Sequence, residues 1–529
     1  MSAIITDQFR ILNANNFVES VENTNNSYYV FVGLPNPAGT STLVGYGRSS
    51  DWNSNTPAPT DSFSYRLHTG DTSMFGKKVS SANIRRIIRR IDWVAGNRYE
   101  IYRDDYSVEN PSPLTKANRL YDANFYVLNS DFKVYICIDN GSTGANPLGN
   151  VSQDEPTFTD LEPSKAGNSG DGYVWKYLFT VAPSDIIKFD STEFITVPNN
   201  WTTSNDSQIR AVRENGNSDV NLNQIKHIYI ENPGAGYADG LNQEVDIIGD
   251  GEGAKARVDV VNNTITNVTV SSGGKGYSYG IVDLGNLNSG VTGSGRAKLI
   301  PIIPPSLGHG HDLYTELGTD RVIVYARFDD STKDFPIDTK FSQVGIVKNP
   351  TKVGTAITYT DSTYSSLKAI KFESVSGSPQ VGEEITQTLT IAPNIGKVAT
   401  AYVASYDSET KVLKYFRDRS LNFNRTTYDH TDYIGISTAG RIYEFESAIG
   451  VNNVDGKSSS FSGSISQSFS GITTNPTGNK LINLGVNFIS GLSNSEINKG
   501  SGEIVYLDNR PLIVRNSRQK EDIKIILEF

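Results

Sequence analysis

The sequence predicts a mainly β protein with few short helices, built from a core and small inserted β domains. Three observations carry that expectation. Charged residues are only 20% of the 529 residues, while 47 Gly and 27 Tyr are spread along the chain; this balance suits many short strands joined by turns. The apolar runs are short, rich in β-branched and aromatic residues, and bounded by Gly, Asn, Asp and Pro. A Gly-x-Gly-Tyr motif recurs after 277 − 237 = 40 residues, the mark of a repeated supersecondary unit. A chain of this length is too long for one ordinary core, so roughly three to four domains are expected.

Composition also bounds function. Cys137 is the only cysteine, so an internal disulfide is impossible and assembly in a reducing cytoplasm fits. It sits in the apolar run Val134-Tyr135-Ile136-Cys137-Ile138, which reads as a small buried hydrophobe rather than a reactive thiol. No apolar run approaches the length needed to span a bilayer. Met1-Ser2-Ala3-Ile4-Ile5-Thr6-Asp7 lacks a basic region and a hydrophobic signal core. A net charge of −10 disfavours nucleic acid as the main partner.

Taken in order, residues 1–218 read as the first part of the core. Tyr28-Tyr29-Val30-Phe31-Val32-Gly33 is a strong strand. Ile84, Ile87, Ile88 and Ile91 fall at helical spacing after Ser80-Ser81, which predicts a helix capped by Ser with Arg85, Arg86, Arg89 and Arg90 on its other face. Such a face suits anionic lipid or nucleic acid; in an acidic chain, solvation or contact with an acidic neighbour is the commoner use. Gly170-Asp171-Gly172 predicts a turn, followed by the aromatic strand Tyr173-Val174-Trp175-Lys176-Tyr177-Leu178-Phe179, and Phe194-Ile195-Thr196-Val197 is another strand. Aromatic density of this kind serves a sugar platform or, more commonly, an interlayer core.

Residues 219–304 read as an inserted repeat module. Gly234-Ala235-Gly236-Tyr237 recurs as Gly274-Lys275-Gly276-Tyr277, and each copy has a second Gly pair next to Ala254 or Ala297. Val258–Val261, an Asn262-Asn263 turn and Ile265–Val270 predict a hairpin, with Gly supplying positive φ and Tyr packing on the turn. The Ile265–Val270 edge is expected to be unpaired. The motif lacks the strand–loop–helix setting and Lys-Ser/Thr ending of a phosphate loop. Pro301–Pro305 closes the module. Residues 305–350 return to the core through Val322–Phe328 and Phe341–Ile346. Residues 351–420 predict a small barrel of short strands, including 370–372, 381–385, 398–403 and 412–416. In 421–500, Ser458–Ser470 reads as a flexible loop that orders against a partner. Residues 501–529 read as two closing strands, Ile504–Leu507 and Ile523–Leu527, around an Asp508-Asn509-Arg510-Pro511 turn.

Four of these stretches carry a resemblance. Gly502–Pro511 with the Glu521–Phe529 end, Gly170–Phe179, Gly47 through Trp52 to Ser62, and Phe341–Ile346 with Asn349-Pro350 resemble, in the same order, the baseplate wedge subunit family (gene product eight) of T-even-type contractile-tailed phages. The resemblance implies a layered β-sandwich core made of 1–218, 305–350 and 501–529. It implies a homodimer in each wedge that contacts other wedge and peripheral baseplate proteins, within the tail baseplate of a virion. The Gly-x-Gly-Tyr module looks like an insertion relative to compact members of that family.

Candidate chemistry is sparse. The five His, His68, His227, His309, His311 and His430, sit in no nucleophile-elbow or zincin pattern. His309, His311 and Asp312 are the candidate metal ligands, weighed against a hinge loop because no further His or Cys lies nearby. Asp104-Asp105 and Asp329-Asp330 read as surface turns rather than a glycosidase pair. The expectation is a structural assembly subunit that is not an enzyme and takes no cofactor, nucleic acid, membrane or small-molecule substrate. The alternative is a carbohydrate-binding or depolymerising tail adhesin. The residues of interest are Gly170, Asp171, Gly172, Tyr173, Trp175, Gly236, Tyr237, Gly276, Tyr277, Asn509, Arg510 and Pro511.

Overall fold

A computed structural model describes residues 6–34, 53–54, 56, 58–59, 61–216, 222–287, 295–329, 339–417, 443–478, 480–516 and 519–529. The Gly47–Trp52 stretch, Gly293-Ser294, Asp330 and His430 lie outside them. The protein is mainly β, with 41% strand and 12% helix, as its composition predicts. Its helices are few, and among the described residues none is long and apolar enough to cross a membrane. The chain divides into two compact units, both discontinuous: Met1–Val18 with Arg85–Ile323 and Ile526–Phe529, and Glu19–Ile84 with Val324–Ile525.

The first unit holds a four-stranded sheet in the order Tyr126–Leu128, Lys133–Asn140, Tyr173–Thr180, Ser164–Lys165. The first three of these strands are almost wholly buried. Cys137 is one of the buried residues, and burial pushes its thiol well above its ordinary pKa.

Ile84–Arg89 is a strand, not the helix that its spacing predicts. It pairs antiparallel with Phe194–Val197, and Ser80 makes no side-chain cap. The four Ile are β-branched, and a strand partner decides between two patterns that a short apolar run fits equally. The arginines form no basic surface. Arg85 binds Asp185 at 2.7 Å, Arg86 lies 4.1 Å over the Tyr314 ring, Arg89 donates to the Tyr121 and Ala123 carbonyls, and Arg90 binds Asp92 and Asp190.

The repeat module also lies in the first unit, with strand order Thr264–Lys275, Glu252–Val261, Gly240–Gly249, Gly280–Val282. Asn262 and Asn263 both have positive φ, at 54° and 62°, so the predicted hairpin turn is of the primed kind that matches strand twist. The outer edge of Thr264–Lys275 is not free at its ends. The Ile265 amide donates to the Pro233 carbonyl at 3.2 Å, and the Ile225 amide donates to the Gly273 carbonyl at 3.0 Å. These bonds map onto each other, since 265 − 225 = 40 and 273 − 233 = 40. The two copies of the repeat therefore lie antiparallel and close one another, which sequence periodicity alone does not show.

The second unit holds a five-stranded sheet in the order Thr363–Ser365, Ser73–Val79, Tyr28–Gly33, Lys340–Lys348, Glu503–Val514. Asp508–Pro511 is not a turn here: the strand runs straight through it. Gln343 pairs with Asn509 and Phe341 with Ile513, so the inner strand advances two residues while the outer advances four. Pro511 sits in that bulge of an edge strand, where its missing N–H costs no ladder bond. In Glu521–Glu528, Ile525 is buried and Ile523 and Leu527 half-buried, alternating with exposed neighbours as the sequence predicts.

The same unit contains a closed six-stranded barrel. Its ring runs Val412–Phe416, Val398–Asp407, Glu384–Thr388, Val454–Gly456, Ser462–Ile465, Lys368–Ser376 and back to Val412–Phe416. Two of its strands come from the Ser/Gly-rich region. The Ser458–Ser470 stretch is thus not a free loop: Phe461 is 2% exposed and Ile465 is buried in the barrel core.

Candidate functional site

The candidate residues divide into four clusters. In the first, Gly170 and Gly172 have φ of 73° and 88°. A Cβ on Gly172 would stand 2.9 Å from the Gly141 Cα, so two loops approach with no room for a side chain. Asp171 accepts from the amides of Tyr173 at 3.0 Å and Gln153 at 2.8 Å, which closes the turn. The following strand then buries Tyr173 and Trp175 completely. Their rings stack at 5.3 Å, and Tyr99 meets Trp175 edge-on at 5.7 Å. The Tyr173 hydroxyl accepts from the Tyr99 amide at 2.9 Å and donates to the Asn150 carbonyl at 2.9 Å. Burial raises its pKa above the ordinary phenol value. These aromatics are an interior packing unit and offer no exposed sugar platform.

In the second cluster, Asn509 is a buried polar hub. Its Oδ1 accepts from Gln343 Nε2 at 2.8 Å, and its Nδ2 donates to the Tyr65 hydroxyl at 2.7 Å. Tyr65 comes from the helix Phe63–Thr72, so one amide ties that helix to two strands. Arg510 points outward and binds Asp508 at 2.6 Å.

The third cluster is the repeat. Gly234, Gly236, Gly274 and Gly276 all have positive φ. The tyrosines do more than pack on their own turns. Tyr237 accepts from the Ala297 amide at 2.8 Å, while Tyr277 accepts from the Ala254 amide at 3.2 Å and donates to the Ile247 carbonyl at 3.0 Å. Each tyrosine thereby locks onto the Gly-Ala segment of the other copy.

The fourth cluster separates the candidate metal ligands. His309 Nδ1 lies 2.6 Å from Glu316 Oε1 in a buried pair. His311 Nδ1 donates to the Arg213 carbonyl at 3.1 Å. Asp312 caps the short helix Leu313–Glu316 through the amides of Tyr314 and Thr315. Each has a different partner, and among the described residues no three His, Cys, Asp or Glu side chains converge as metal ligands. Asp104-Asp105 is a turn, as expected, with Asp104 exposed, and both carboxylates also tie it to neighbouring segments. Asp105 binds the buried Arg103 at 2.7 Å, and Asp104 accepts from the Ile303 amide at 3.3 Å. Arg103 also lies 4.1 Å over Tyr229, and Lys226 binds Glu162 at 2.7 Å, so polar staples hold the module to the rest of its unit.

Lys176, on the aromatic strand, went unnoticed in the sequence. It is 3% exposed and donates to the Leu161 carbonyl. Desolvation lowers its pKa to about 8. Its position among Trp175, Tyr177 and Leu178 was the available signal. In the second unit a cavity of about 310 Å³ is lined by Phe31, Leu67, Val347, Tyr364, Ile497 and Ile504, with Arg66 and Glu503 also on its wall.

No family model matches the chain. The chain is 28% identical over 223 residues to the baseplate wedge protein gp8 of Enterobacteria phage T4, an alignment covering 37% of this chain. It spans 60% of that relative's length.

Proposed function

We propose that this chain is a structural subunit of a contractile phage tail baseplate, without catalytic activity or cofactor. In this reading it belongs to the wedge, links neighbouring wedge and peripheral baseplate proteins, and takes part in the assembly that triggers sheath contraction. The observation that carries the reading is the 223-residue similarity to a baseplate wedge protein. The site geometry agrees with it: the resemblance-bearing side chains Tyr173, Trp175 and Asn509 are buried packing elements. A self-associating form, a homodimer of 2 × 57.8 kDa, is part of the proposal.

Mass spectrometry of purified particles and light scattering of the isolated chain test it. The expected results are the chain in tails and a mass of twice the monomer. Normal baseplates assembled without the chain would overturn the reading.

A further inference from the structure

The geometry points to a protein-docking patch on the outer face of the repeat module, formed by Tyr279, Ile281 and Ile248. Ile248 and Ile281 are direct cross-strand partners, and they are 59% and 68% exposed. Tyr279 lies two residues before Ile281, in the bend that leads into its strand, and is 58% exposed. Large apolar side chains grouped this way on a rigid sheet are characteristic of interaction sites, and Tyr is a favoured anchor.

The patch is held open by its neighbours. The pairing of Gly240–Gly249 with Glu252–Val261 reaches Asp246 and Lys255 and stops before Ile248. Beyond it that strand offers Gly253, where a Cβ would meet nothing within 4 Å. The Tyr279 turn is stiff: the Asp250 carboxylate accepts from the amides of Ser278 and Tyr279 and from the Ser278 hydroxyl. These bonds lower the Asp250 pKa, keeping it charged. The repeat marks the same position twice. Leu241, 40 residues before Ile281, is 69% exposed.

Charge selects the partner. Glu244, Asp246, Asp250, Glu252 and Asp283 lie on the same strands and turns as the patch, against Lys255, Arg257 and Lys275, of which Lys255 binds Glu244, Arg257 pairs across from Glu244 and Lys275 binds Glu252. The local balance is −5 + 3 = −2. The occupant is therefore a different protein with an apolar pocket bordered by Lys or Arg, not an anionic membrane and not a second copy of this acidic face. This inference rests on the baseplate reading.

The test places a photo-cross-linking amino acid at position 279 of the full chain in assembled particles. The expected product joins position 279 to another particle protein, within a Lys/Arg-bearing peptide. Ile281→Asp should lower the yield at least tenfold while the module keeps its hydrogen-exchange protection. Particles that contain the chain but yield no link, a link only to a second copy, or a yield unchanged by Ile281→Asp would overturn the inference alone. Particles that lack the chain would overturn the baseplate reading, and the docking inference with it.

Discussion

Two glycines in one turn should respond very differently to alanine. Gly274 and Gly276 have φ of 60° and 76°, and an L residue in the left-handed region costs roughly 1–2 kcal/mol. At Gly276 that is the whole penalty, because an added Cβ meets nothing within 4 Å. At Gly274 the Cβ would stand 2.6 Å from the Ala254 amide nitrogen, 2.6 Å from the Glu252 carbonyl oxygen and 2.7 Å from the Tyr277 ring. Two of these are backbone atoms, so the turn itself must move. The movement breaks the Tyr277 hydroxyl bonds to Ala254 and Ile247, each contributing about 0.5–1.5 kcal/mol. Gly276→Ala should therefore cost ~1–2 kcal/mol and Gly274→Ala ~2–5 kcal/mol. Native-state hydrogen exchange on residues 252–275 reads the difference directly. A gap of about 1.4 kcal/mol is tenfold in opening constant, so Gly274→Ala should exchange roughly ten to a hundred times faster than Gly276→Ala. Equal exchange in the two variants would refute the argument that the exchanged tyrosine lock holds the module.

Asn509→Ala leaves the buried Tyr65 hydroxyl and Gln343 amide without their shared partner; a loss of ~2–4 kcal/mol is expected by urea unfolding, and a loss below about 0.5 kcal/mol would show that the hub is not structural. Lys176 has a folded pKa of about 8 against an ordinary 10.5, so the unfolded chain binds more protons between those values and stability should rise with pH across that window. Lys176→Met should flatten this rise and stabilise the protein at neutral pH by up to ~3 kcal/mol; an unchanged pH profile would contradict it. Replacing residues 370–492 by a short linker should leave the second unit folded, because Ala369 and Ser493 are strand partners and the cut spares Tyr359, Tyr364 and Ile497. Removing all of 351–500 should instead abolish cooperative unfolding, since those three residues pack with Tyr29, Phe31 and Val347; identical melting of the two deletions would contradict this.

Much of the fold was legible in the residues themselves. Tyr28–Gly33, Tyr173–Thr180 and Val412–Phe416 are strands where β-branched and aromatic runs predict them. The Asn262-Asn263 turn and the positive φ of Gly170, Gly172, Gly236 and Gly276 follow from what those residue types permit. These are short-range properties: backbone sterics and side-chain alternation act within a few residues, so sequence alone determines them.

Tertiary structure decided the rest. Ile84–Arg89 fits helix and strand equally, and the partner Phe194–Val197, over a hundred residues away, selects the strand. Pro511 is turn chemistry until a bulge opposite Phe341–Gln343 accommodates it within a strand. Ser458–Ser470 reads as a flexible loop until the barrel takes Ser462–Ile465 from it as a closing strand. His309, His311 and Asp312 are adjacent in sequence, yet Glu316, the Arg213 carbonyl and a helix N-terminus claim them separately. For the strand, the bulge, the barrel and His311 the deciding energy is a hydrogen bond or buried contact with residues distant in the chain, which exists only where the rest of the fold places them, whereas His309 and Asp312 are claimed by Glu316 and the helix that ends on it, within seven residues.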